Sequence, residues 1–131
     1  MPTKPLNTPM VFDVLSKEAV AVSHTPFGSV GELFSGHGIR AVWVEKQGEE
    51  IDPGWFCQDA IDVIVVIQGG LKLEFADSAF SPVELRPGSV LLLPPNTRCR
   101  GYRWPRQQAE STVFLAVYPF HPESGSGSEG L

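Results

Sequence analysis

Cysteine is scarce in this chain: Cys57 and Cys99 are the only two in 131 residues. Two are too few for a disulfide-stapled secreted scaffold, and they do not form the close C-x2-C pair of a zinc site. Long apolar runs are also missing. No stretch approaches the roughly 18 to 20 residues needed to span a bilayer, and the opening MPTKPLNTPM has no apolar signal-peptide core. A cytoplasmic protein without a membrane partner is expected. Positive charge is in deficit, with 10 Lys and Arg against 15 Asp and Glu, so the net charge of -5 repels nucleic acid rather than recruiting it. A convincing helical period is absent as well.

What the chain does have is a set of short β-forming runs with turn punctuation. VFDVL, EAVAVS, SVGELFS, IRAVWVEK, DVIVVIQ, LKLEFA, PVELR, SVLLLP, RCRGYR and TVFLAVYPF are rich in Val, Ile, Phe and Trp. Gly69-Gly70, Pro87-Gly88 and Pro95-Asn96 mark breaks between them. Many short strands at near-regular spacing predict an all-β sandwich or barrel. Hydrophobic residues at 42% and charged residues at 19% give an ordinary globular balance, enough for one core. Pro2, Pro5 and Pro9 predict an extended arm over residues 1–10, followed by the barrel over 11–120. Residues 121–131, HPESGSGSEGL, have the composition of a flexible tail. Val63 to Ile67 and Val90 to Leu93 are apolar on both faces, which predicts a sheet covered on its outer side and hence a homodimer.

The region from Gly48 to Pro119 resembles the cupin superfamily, whose motifs run approximately G-x5-H-x-H-x3,4-E-x6-G and G-x5-P-x-G-x2-H-x3-N. Gly88, SVLLL, then Pro94, Pro95 and Asn96 match the second motif, with Asn where the family has Gly; Asn tolerates the same left-handed backbone. Counting on, Cys99 takes the histidine position and Arg103 the asparagine position. Asp62, VIVVIQ and Gly69 match the end of the first motif, with Asp replacing Glu. The two first-motif histidine positions fall on Trp55 and Cys57, or on Phe56 and Gln58, according to whether four or three residues precede the acid. The resemblance implies a double-stranded β-helix (jelly-roll) barrel with an interior site. It implies no single chemistry, because one fold hosts many.

A family-type metal centre uses three histidines and a carboxylate. His24, His37 and His121 all lie outside the motifs. The alignment gathers Cys57 or Gln58, Asp62 and Cys99 instead. The cysteines read as inert buried packing, as thiolate ligands that with Asp62 hold zinc or another thiophilic ion, or as a redox pair across the barrel. Strand alternation from an inward Cys99 turns Arg103 inward too, where it pairs with a ligand carboxylate or phosphate, or internally with Asp62 or Glu45. Trp43, Trp55, Phe56, Trp104 and Phe114 are candidate walls of the same pocket, with Gln58 as a polar contact. The leading expectation is a binding protein without a metal cofactor, for a small, partly apolar anionic molecule. The competing one is an enzyme, either metal-free with Asp62 as a general base raised in pKa by burial, or using a metal on Cys57, Asp62 and Cys99.

Overall fold

The computed structural model describes residues 6–16 and 22–121. The expected tail at 122–131, the first five residues of the arm and the start of the EAVAVS run lie outside the described residues. Nine strands follow one another: β1 Val22–Thr25, β2 Gly28–Gly36, β3 Ile39–Lys46, β4 Asp62–Gln68, β5 Leu71–Phe75, β6 Val83–Leu85, β7 Val90–Leu93, β8 Cys99–Arg103 and β9 Thr112–Pro119. All their pairings are antiparallel. Among the described residues no helix is long and apolar enough to cross a membrane.

The strands form a six-stranded sheet, ordered β1-β2-β3-β9-β4-β7, and a three-stranded sheet, β6-β5-β8. One core lies between them. Val42 and Val44 of β3, Ile64 and Val66 of β4, and Phe114, Ala116 and Tyr118 of β9 meet Leu71 and Leu73 of β5 and Cys99 of β8. Each contributing strand sends every second side chain inward, as a two-residue repeat requires. The turns sit where the motifs place them. Gly69 and Gly88 take positive φ values, and Asn96 sits at φ 61°, the left-handed backbone expected of it.

The run VFDVL does not become a strand. The Asp13 carboxylate accepts a hydrogen bond from the Leu15 amide, and the Asp13 carbonyl accepts another from Ser16, folding the segment into a local turn. The arm continues through residues 11–16 along the outside of β3, where the Val14 carbonyl accepts a 2.7 Å hydrogen bond from the indole Nε1 of Trp43.

Candidate functional site

The inner face of the large sheet is built in rungs. Val44 on β3 pairs with Phe114 on β9, and Val42 with Ala116; Ala116 in turn pairs with Ile64 on β4. These rungs are apolar. One step further the chemistry changes: Arg40 pairs with Tyr118, and continuation of the Val63–Val117 register sets Asp62 across from Tyr118. Three adjacent strands thus carry a polar rung, Arg40–Tyr118–Asp62, at the end of an apolar ladder.

Burial decides how these groups behave. Asp62 is 2% exposed, and neither of its carboxyl oxygens has a hydrogen-bond partner among the described residues. Loss of hydration disfavours the carboxylate and pushes its pKa up to about 7. The Tyr118 hydroxyl accepts a 3.2 Å hydrogen bond from Nη1 of Arg40, whose Nε reaches Glu32 at 3.0 Å. Burial raises the Tyr118 pKa; Arg40 opposes that rise and Asp62 reinforces it.

The segment before β4 closes over this end. Phe56 and Cys99 exchange both backbone hydrogen bonds, at 2.9 and 3.0 Å. That bridge settles the register: Phe56 and Gln58 are buried, while Trp55 and Cys57 turn to the other side and are partly exposed. Of the two pairs that the spacing allowed, Phe56 with Gln58 is the buried one. The Gln58 side-chain nitrogen is buried without a partner. Cys99 is fully buried, and its thiol is pushed up to about 12 by desolvation first, then by the nearby charges of Asp62, Asp52 and Cys57.

This donor set does not suit a family-type metal centre. A phenyl ring offers no lone pair, an amide is a weak ligand, and the Cys99 thiol holds its proton, which leaves Asp62 as the single carboxyl donor. The Cys57, Asp62 and Cys99 set is not assembled, because alternation turns Cys57 away from the face that Cys99 occupies. No group of three or more His, Cys, Asp or Glu among the described residues is placed to hold an ion. Both cysteines are free thiols. His24 bonds Ser29 at 2.9 Å on β1, and His37 stacks on Phe34 in the β2–β3 turn.

Arg103 lies on the inner face but its guanidinium is committed elsewhere. Nη1 donates to the Gln47 carbonyl and to Glu49 Oε2, each at 2.8 Å, and Nη2 donates to the carbonyls of Gln108 and Glu110. The residue clamps two loops at the end of the core opposite Asp62. Its ionic partner is Glu49 rather than Asp62 or Glu45, and no paired donors remain for a ligand carboxylate. The same end holds a buried Lys46–Asp52 ion pair, with the second Asp52 oxygen accepting from the Gly101 amide at 2.8 Å.

The aromatics divide. Phe56 and Phe114 belong to the core. Trp43 is buried on the opposite face beneath the arm, Trp55 lies under the Arg100 guanidinium at 4.5 Å, and Trp104 bonds Glu84 on the outside of the small sheet. Trp104 lines a surface cavity of about 400 Å³ together with Gly69, Gly70 and Arg86. The three tryptophans are therefore not walls of the interior site. Sequence reading missed Tyr118, Arg40 and Glu32, whose convergence depends on cross-strand register.

Solved structures give this arrangement its wider frame. A Klebsiella pneumoniae protein with a double-stranded β-helix domain superposes with a TM-score of 0.67 at 12% identity, covering 95% of this chain and all of that one (100%). The chain has the cupin fold. An RmlC-like cupin from Shewanella frigidimarina matches at TM-score 0.63 and 13% identity over 83% of this chain and 91% of its own. A cupin-like protein from Thermotoga maritima matches at 0.61 and 17%, over 79% and 77%. No family model and no curated protein matches the sequence. At such identities the cupin fold is what is shared, and function rests on the residues inside it.

Proposed function

We propose that this cupin fold binds a small, neutral, hydrogen-bonding organic molecule at Asp62, without a metal. The observation that carries this reading is the Asp62 carboxyl, buried to 2% exposure with both oxygens unpartnered. An unmet buried polar group costs about 1–3 kcal/mol, and a ligand that donates hydrogen bonds offsets that cost. The Gln58 amide supplies an unmet donor of opposite polarity. With both terminal nitrogens of Arg103 bonded to loop acceptors and only its buried Nε left without a partner, and with an acid at the site, the proposed ligand is neutral rather than the anion expected from sequence. Since Asp62 is closed off, a ligand enters when a covering segment moves; residues 53–61, held to Cys99 by the Phe56 bridge, are a candidate cover.

Ligand-observed NMR tests the proposal with three probes: hydroxyacetone and cyclohexanone as neutral compounds, and lactate as an anion. Saturation transfer to a neutral probe, lost in Asp62→Ala and absent for lactate, is the expected result. Equal transfer in wild type and Asp62→Ala, or lactate binding that requires Arg103, overturns it.

A further inference from the structure

The polar rung holds more than an acceptor. Directly opposed residues on antiparallel strands have Cβ atoms about 4.5–5.5 Å apart, yet Asp62 and Tyr118 do not bond each other, since both Asp62 oxygens are unpartnered. The Tyr118 hydroxyl accepts from Arg40, which leaves its own hydrogen available to donate, and it donates to no described residue. Arg40 is braced in turn by Glu32 and lies with its guanidinium 5.3 Å from the Phe120 ring centroid. An oriented O–H donor backed by a cation therefore stands beside an uncommitted carboxyl, and the adjoining rung is Val42, Ala116 and Ile64. Arg40, Glu32 and Asp62 itself act on Tyr118, and Asp62 acts in turn on the Cys99 thiol.

Resting on the binding reading above, we infer that Asp62 and Tyr118 are an acid–base pair for a neutral carbonyl compound with an acidic C–H beside the carbonyl. The ionised Asp62 removes that proton: the C–H bond breaks, an O–H bond forms on Asp62, and the C–H electron pair becomes the carbon–carbon double bond of an enol. The carbonyl oxygen takes the Tyr118 proton, and the phenolate left behind is stabilised by Arg40. Returning the Asp62 proton to carbon and the enol proton to Tyr118 restores both residues. Nothing is oxidised or reduced, and the net reaction is replacement of the α-hydrogen by a solvent hydrogen when Asp62 exchanges its captured proton with water before returning one to carbon. Tyr118 and Asp62 are the catalytic residues and Arg40 is a positioning residue.

Cyclohexanone and hydroxyacetone in deuterated buffer near neutral pH provide the test. Proton NMR reads saturation transfer from protein to probe and, in the same tube, replacement of the α-protons by deuterium. Wild type should speed exchange over buffer, with losses of about 100-fold or more in Asp62→Asn and in Tyr118→Phe, the scale of a positioned acid or base. Tyr118→Phe keeps the core ring and should retain saturation transfer. Transfer without accelerated exchange in wild type, or exchange unchanged in either variant, overturns the acid–base pair and leaves the binding reading standing. No transfer in wild type removes both.

Discussion

Asp62→Asn isolates the cost of one buried proton. The folded carboxyl keeps its proton up to about pH 7, whereas an ordinary aspartate, as in the unfolded chain, ionises near 3.8. Between those values the folded state binds the extra proton, so stability declines as pH rises, by about 1.4 kcal/mol per pH unit. The decline begins above the unfolded value and levels off beyond the folded one. From about pH 5 to pH 8 it amounts to roughly 3 kcal/mol. The Asn variant keeps the shape and has no proton to lose. Urea unfolding of both proteins at the two pH values gives the stability of the variant minus that of wild type, in which titrations common to both cancel. That difference should grow by about 3 kcal/mol in favour of the variant between about pH 5 and pH 8. A difference constant to within about 1 kcal/mol would show that Asp62 ionises in the folded protein like an exposed acid, and the site reasoning would fail with it.

Further expectations follow from other parts of the molecule. Arg103→Ala should cost about 1–3 kcal/mol, the scale for leaving buried carbonyls without a donor, and raise amide exchange selectively at 47–49 and 108–110, as read by mass spectrometry. Iodoacetamide near pH 8 should alkylate the partly exposed Cys57 well before Cys99, whose thiol is pushed up to about 12; peptide mapping reads the order. Gly70→Ala should lower the melting temperature sharply, because its added Cβ would lie 1.8 Å from the Trp104 carbonyl oxygen. Val90 and Leu92, 59% and 60% exposed on the outer face of the large sheet, predict self-association. Sedimentation should show a dimer that Leu92→Glu dissociates.

The strands were legible because β-branched runs and Gly or Pro breaks alternate so regularly, and the Asp62-x6-Gly69 and Pro94-Pro95-Asn96 spacings marked the left-handed turns at Gly69 and Asn96. Facing was harder to read. In AVWV of β3 both faces are apolar, so periodicity could not say that Val42 and Val44 point inward while Trp43 lies under the arm. The choice between Trp55 with Cys57 and Phe56 with Gln58 turned on the Phe56–Cys99 bridge, a contact between segments far apart in the chain. Arg103 was read as inward, but its partners are mostly loop carbonyls, which carry no side-chain signature. Tyr118 was read only as part of a final strand; its meaning comes from lying between Arg40 and Asp62 on neighbouring strands.

Arg103 has a consequence for where this chain can be lengthened. Its guanidinium grips both the 47–49 and 108–110 loops, and close by the Gly70 carbonyl accepts from the Trp104 amide and from the side chains of Gln108 and Thr112. Surface loops are ordinarily the places that tolerate inserted residues, but an insertion at 105–110 would pull both anchors out of register. Residues 76–82 are exposed throughout and lie between β5 and β6 at the margin of the small sheet. A peptide tag or reporter domain belongs there, on a turn that lies away from the clamped end of the core.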